Sequence, residues 1–232
     1  MIASALNASP CFSCRTYGGF PITITHSTFS ENSALSGGGV YTLLDVIIAN
    51  STFSCFDATA SNEIYTAGGT LLVTSSTIFG YIPDPDHAGG VGNALESGGG
   101  VYNAPGGVVT FFNTIVAGHD YGGNCVGAIT NGGNNLDDGT TCGWGSANGS
   151  MSSVNPQLGA LTGSPAYFPL AASSPAIDAG NNAICAAAPV NNGSQNGVAR
   201  PTDGDGNGTA TCDIGAVERE AGFRAYLPYA VR

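Results

Sequence analysis

Asp203-Gly204-Asp205-Gly206-Asn207-Gly208 puts side-chain oxygens at alternate positions and a glycine at the close of the run. In calcium loops such oxygens converge on one hard cation, and the glycine in sixth place makes the sharp turn. The match stops there, because the twelfth position is Ile214 and the nearest acids are Asp213 and Glu218. Asp203, Asp205, Asn207 and Asp213 are therefore candidate calcium ligands, weighed against a Gly/Asp-rich turn that needs no ion. Glycoside hydrolysis would need two carboxylates facing one groove. Asp45, Asp57, Asp120, Asp137 and Asp138 are available, with His119 as a helper. None of these acids recurs at a regular spacing, and His26, His87 and His119 lack a metal-ligand pattern.

Seven cysteines in a Ser/Thr/Asn/Gly-rich chain point to an oxidising compartment. Cys125 with Cys142 and Cys185 with Cys212 are the candidate disulfides, each closing a loop of irregular sequence. Cys11, Cys14 and Cys55 leave an odd one out. Cys11-Phe-Ser-Cys14 has CxxC spacing, but no second CxxC completes a zinc site and no βαβ pattern surrounds it. A local disulfide and a Cys14–Cys55 link both stay open.

The elements that would position these groups come from a repeat. ITITHSTFS from Ile22 returns as VIIANSTFS from Val46, LLVTSSTIF from Leu71 and VTFFNTIVA from Val109. The residues that break the alternation are His26, Asn50, Ser75 and Asn113, spaced 24, 25 and 38 apart. A second phrase, GGGVY at Gly37–Tyr41, EIY at Glu63–Tyr65 and GGGVY at Gly98–Tyr102, keeps step, with extra residues expected in Tyr81–Ala94. A period in the twenties with strand alternation is a solenoid signature. Strands stacked in parallel should place Phe29, Phe53, Ile78 and Val116 in one internal column. The expectation is an all-β, right-handed, single-stranded parallel β-helix with an irregular, disulfide-stapled C-terminal tail; the hand follows from the chirality of parallel connections. On the outside, Thr28, Thr52 and Thr77 would form a solvent-facing ladder of the kind that orders water in ice binding, ended by Ile115.

Composition narrows the function. The 232 residues carry 36 Gly, a net charge of −11 and no lysine, and neither Lys nor Arg falls between Thr16 and Ala199. Such a surface cannot neutralise phosphate, which argues against nucleic-acid binding. No stretch approaches the length of a membrane span, and Met1–Pro10 lacks the basic start and apolar run of a signal peptide. A secreted-looking chain of this kind is expected to be part of a longer protein, or to be capped at its first coil by something else. Asn50-Ser-Thr52 and four further sequons would matter only in a eukaryotic host.

After Pro156 the text changes character. SPAIDAG at Ser174–Gly180, RPTDGDGNG at Arg200–Gly208 and CDIGAVE at Cys212–Glu218 resemble the C-terminal signature of the choice-of-anchor Q proteins. These are large bacterial secreted or surface β-helix proteins, akin in their repeats to polymorphic outer-membrane proteins and the pectin-lyase-like superfamily. NTIVAG, NC and GGNNL between Asn113 and Leu136 are similar to theirs, so the resemblance covers about Ile22 to Glu218. It departs at Ser194-Gln195-Asn196-Gly197, where the family shows an Asp-Gln-Arg-Gly run; a salt bridge made there in relatives is lost. The resemblance implies extracellular display and no established catalytic residues. Polysaccharide lyases of this fold use calcium on acidic side chains plus an Arg or Lys base, and the repeat after Arg15 has no such base.

The organisation expected is an N-terminal cap or incomplete coil over 1–21, repeats over 22–144 that end in an irregular coil at Asn124–Trp144 held by Cys125–Cys142, and a choice-of-anchor Q-like region over 145–232, with Gly145–Asn155 as linker. The function expected is a non-enzymatic extracellular structural or adhesive segment that displays turns and the Tyr81–Ala94 insertion. It would meet a glycan or surface protein through Tyr41, Tyr65, Tyr81, Tyr102 and Tyr121, or stack end to end into filaments. The alternative is a carbohydrate-active enzyme.

Overall fold

The computed structural model describes residues 20–30, 32, 34, 36–54, 63–80, 99–119 and 122–222. The expectations for Cys11, Cys14, Cys55, Asp57, Tyr81–Ala94, His87, Asp120, Tyr121 and nearly all of the 1–21 cap lie outside those residues.

His26, Asn50, Ser75, Asn113 and Asn134 all adopt positive φ, between 45° and 51°. Asn tolerates this left-handed region better than most side chains, and three of the five positions are Asn. At each one the chain leaves a strand of one sheet and enters a strand of the next. The pairs are β1 (Ile22–Thr25) with β2 (Thr28–Ser30), then β4 (Val46–Ala49) with β5 (Thr52–Ser54), and β7 (Gly69–Thr74) with β8 (Thr77–Phe79). They continue as β10 (Gly107–Phe112) with β11 (Ile115–Ala117), and β13 (Ile129–Gly133) with β14 (Leu136–Asp137). A third set comprises β3 (Val40–Thr42), β6 (Ile64–Thr66), β9 (Val101–Asn103) and β12 (Cys125–Val126). These make three parallel sheets, ordered β1-β4-β7-β10-β13, β2-β5-β8-β11-β14-β15 and β3-β6-β9-β12, where β15 is Met151–Ser152. The chain is thus all-β in the main, built of parallel sheets.

The register follows the sequence repeat. Phe29, Phe53, Ile78 and Val116 are successive Cα partners, as expected, and the rings of Phe29 and Phe53 stack at 4.8 Å. Ile48, Val73 and Phe111 form a second column, fully buried, and Val40, Ile64 and Val101 a third. After the first four bends stands a small polar residue whose hydroxyl turns back to the carbonyl two residues earlier, Ser27, Ser51, Ser76 and Thr114, and after the fifth stands Asn135, whose Oδ1 accepts the Thr114 N–H. The hydroxyls of Ser51 and Ser76 also accept the backbone N–H of the copy before them, at 3.2 Å. The Ser27 and Ser51 backbone N–H groups are thereby satisfied between copies, and a short side chain reaches both partners, whereas Asn50 Oδ1 and Ser75 Oγ at the bends have no hydrogen-bond partner.

Two sequence expectations change. Asn124–Trp144 is not an irregular coil: β12, β13 and β14 continue all three sheets as a fifth copy, bent at Asn134. The alternation was masked because polar residues take the inward positions of this copy, Asn131 as the partner of Phe111 and Asp137 as the partner of Val116, and because the register shifts at Gly132. Gly145–Asn155 is not a free linker either, since β15 pairs with β14 and a 3-10 turn at Ala147–Gly149 sits over β13. Trp144 packs edge-on against Phe111 at 5.8 Å and is 3% exposed, covering the core at this end.

The tail folds along the side of the second sheet. Its apolar residues Leu170, Ala176, Ile214, Ala216 and Val217 bury Ile115, Ala117 and Leu136 in a second core. One short helix, α1 (Asn182–Ala186), and one antiparallel pair, β16 (Thr162–Gly163) with β17 (Ala166–Tyr167), belong to it. Among the described residues no helix is long and apolar enough to cross a membrane.

Candidate functional site

The threonine ladder is not a solvent face. Thr52 and Thr77 are 0% and 2% exposed, because the tail lies on them. Thr52 gives its hydroxyl hydrogen to Gln195 Oε1 at 2.5 Å, and the Gln195 amide donates to Thr28 Oγ1, Ser27 O and Ala166 O. Thr77 Oγ1 accepts from the Ala216 N–H. One step further the column turns aliphatic, Ile115 then Leu136, where the tail presents Ile214 in place of polar groups. The column matches the tail residue by residue, so an ice-binding face is excluded. Gln195 makes these contacts from the Ser194–Gly197 run, in which Ser194 Oγ and Asn196 Oδ1 lie 2.7 Å apart.

Behind this seam the tail has a buried charge network. Arg200 is 3% exposed and its guanidinium donates to the carbonyls of Gly193, Asp213, Gly215 and Val217. Glu218 lies 3.4 Å from it and accepts from the N–H groups of Thr202 and Asp213. Asp213 accepts from the N–H groups of Asp178 and Arg219. Burial pushes the Glu218 carboxyl up to about 7 and that of Asp213 up to about 6, against the pull of Arg200, while burial lowers Arg200 itself. The network holds the carbonyls of the Asp213–Val217 segment inward while its Gly215 and Ala216 amides bond to Asn113 and Thr77 of the body. Sequence reasoning missed this; an arginine flanked by apolar and proline residues in a lysine-free chain was the available signal.

The acidic turn forms, with a changed membership. Asp178, Asp203 and Asp205 bring carboxylate oxygens within 4.8 Å of one another. Asp213 is fully buried and both its oxygens are engaged elsewhere, and the Asn207 side-chain oxygen accepts from Thr209. Asp203 accepts from the amides of Gly206, Asn207 and Gly208, Asp205 from Asn207, and Asp178 from Gly204 and Asp205. The Gly208 amide, with those of Gly206 and Asn207, holds the Asp203 carboxyl below the usual carboxylate range. Backbone donors therefore account for the convergence. Asp178, in the SPAIDAG motif and at φ 52°, was not singled out from sequence.

Among the described residues, the candidate hydrolytic acids Asp45, Asp137 and Asp138 do not meet in a cleft. Asp45 is exposed and accepts the Thr70 N–H, and Asp138 is exposed and accepts from Gly118 and Asn124. Asp137 is 0% exposed and accepts from Asn124, Gly139 and Cys142. His119, its side chain 3% exposed, sits between Glu63 at 3.1 Å and Asn124 at 2.8 Å. Burial alone would lower its pKa, but the Glu63 charge and the hydrogen bonds from Glu63 and Asn124 leave it raised. His26, by burial and by the Arg200 charge, is lowered. The disulfides join Cys125 to Cys142 and Cys185 to Cys212, the pairs named from sequence.

The third sheet carries outward Tyr41, Tyr65 and Tyr102, stacked at 5.2 and 4.8 Å with planes 7° and 3° apart. Each ring covers its neighbour's face, leaving edges and hydroxyls outward; burial, then Tyr102 and Tyr41, raises the Tyr65 pKa. No family model, curated protein or solved structure matches the chain.

Proposed function

We propose that this chain is a non-enzymatic, extracellular structural and adhesive segment of a bacterial surface or secreted protein. Its body is a right-handed parallel β-helix, and a choice-of-anchor Q-like tail is clasped along its side. The observation that carries this reading is the fate of the polar side chains. Among the described residues, Asp45, Asp137 and Asp138 each serve a turn or a buried hydrogen bond, Glu63 pairs with the buried His119, and the outward tyrosines form a stacked ladder. Catalysis on a glycan would need carboxylates converging on an open groove. Two disulfides fit an oxidising, extracellular setting.

Adhesion falls to the tyrosine edge stripe and neighbouring turns, facing a neutral glycan or a protein. The described arginines, Arg200 and Arg219, are both engaged with tail carbonyls and offer nothing to an anionic polymer. Self-association through coil ends belongs to the same reading, with the Trp144 end covered by its own chain. The acidic turn stays outside the proposal, since amide donors explain its shape. Incubation with neutral and acidic polysaccharides tests the reading: retention of a polymer without new reducing ends or unsaturated products supports it, and turnover overturns it.

A further inference from the structure

Glu63, Gly100 and Asn124 follow one another in a single column, each standing just before its strand of the third sheet, β6, β9 and β12. The middle place has no side chain of its own, and the imidazole of His119 packs against it. A methyl group at Gly80, Gly99 or Gly100 would come within 2.5, 2.5 and 2.9 Å of the His119 side chain, so these glycines form a seat for the ring. From that seat Nε2 lies 3.1 Å from Glu63 Oε2, and Nδ1 lies 2.8 Å from Asn124 Oδ1. Neither His119 Nε2 nor Glu63 Oε2 has a hydrogen-bond partner elsewhere. The Asn124 amide is fixed in orientation, because its Nδ2 donates to Asp137 and Asp138 and leaves Oδ1 to the ring.

Both ring nitrogens therefore face acceptors. A neutral imidazole carries one N–H and satisfies one of them, whereas an imidazolium carries two and satisfies both. We propose that His119 is a pH-operated latch: as an imidazolium it ties the entries of β6, β9 and β12 together, and loss of one ring proton loosens that joint. Deprotonation leaves either Glu63 or Asn124 facing a nitrogen without a hydrogen, in a site closed to water. The titratable groups turned toward the ring are acids: Glu63 before β6, Asp138 after β14, and Asp137 of β14 behind Asn124. The glycines that seat it bring no charge. Burial disfavours the imidazolium, but the Glu63 charge and the hydrogen bonds from Glu63 and Asn124 outweigh it, so the latch holds past the ordinary 6.5. Tyr65 and Tyr102 stand two residues after Glu63 and Gly100, so the same joint carries this stacked pair. The latch does not depend on what the tyrosines bind.

The test is an NMR pH titration of the full chain that reads two things at once. One is the protonation of the His119 ring nitrogens. The other is the hydrogen-exchange protection of the Gly80, Gly99 and Val101 amides, which bond to the carbonyls of Ala117, Gly123 and Asn124. His119 should carry both ring protons at pH 6.5, and protection should fall roughly 5- to 150-fold as one is lost, the factor of one buried polar group losing its partner. Glu63→Gln, nearly the same shape without the charge, should lower the titration by roughly 1–3 units, with the loss of protection moving alongside it. A His119 ring already neutral at pH 6.5, protection unchanged across its titration, or a titration unmoved in Glu63→Gln would each overturn the proposal. If Glu63→Gln fails to fold, the two wild-type readings decide alone.

Discussion

Thr52 and Gln195 meet side chain to side chain at 2.5 Å across 143 residues of sequence, both buried. Through this contact the tail grips the repeat body, and Gln195 extends the grip to Thr28 and Ser27 in the copy before. Removing either partner leaves buried polar atoms unpaired, at about 1–3 kcal/mol each. Gln195→Ala and Thr52→Val should each lower the urea midpoint. In a double-mutant cycle the two should couple by roughly 0.5–3 kcal/mol. Strict additivity would show that the contact carries no energy.

Arg200 is the interior fastener of the tail. Arg200→Met removes the donors to Gly193, Asp213, Gly215 and Val217 and leaves Glu218 buried without its cation. Breaking such a pair costs about 3–5 kcal/mol. Arg200→Lys should rescue little of it, because an ammonium cannot reproduce the planar fork. Equilibrium unfolding checks this, and a wild-type midpoint for Arg200→Lys would refute it.

Stability should fall as pH rises through neutrality. Glu218 and Asp213 have folded pKa values raised to about 7 and about 6, so the fold favours their protonated forms. Their contribution is present below the ordinary carboxylate range and is lost as pH climbs through about 6 and then about 7. His119, raised beside Glu63, acts the same way: its contribution is present below 6.5 and lost as pH passes its folded value. Asp203, depressed by the amides of its turn, opposes them only on the acid side, losing its contribution as pH falls through its lowered value. A melting series from pH 5 to pH 8 should decline; a steady rise over that interval would contradict these shifts.

The Asp203 turn should be indifferent to calcium. Its carboxylates already accept amide hydrogens from Gly204, Asp205, Gly206, Asn207 and Gly208. Melting curves with excess calcium and with chelator should superimpose, whereas a rise of several degrees with calcium would show that an ion is recruited.

The body was legible because its signal is periodic. Each inward residue repeats at a fixed offset from a bend, so Phe29, Phe53, Ile78 and Val116 could be aligned before any coordinates. The fifth copy was hidden where Asp137 takes an inward place, since its partners Asn124, Gly139 and Cys142 are set by tertiary contacts. The Thr28–Thr52–Thr77 column was misread as solvent-facing for a related reason. Alternation tells which side of a strand a residue occupies, and not what later sequence lies on that side. Ile115 was the clue: an aliphatic residue ending a hydroxyl ladder marks the place where the cover becomes apolar. In the tail, Asp203 and Asp205 were found from local spacing, while Asp178 and Arg200 act through contacts that no spacing records.

Adhesion without catalysis is tested most directly by one assay. The purified chain is incubated with a panel of neutral and acidic polysaccharides, and both bound polymer and newly formed chain ends are measured. Retention of at least one neutral polymer, weakened by Tyr65→Ala, with no new reducing ends or unsaturated products, is the predicted result. Time-dependent cleavage of any polymer by the wild-type chain would contradict it.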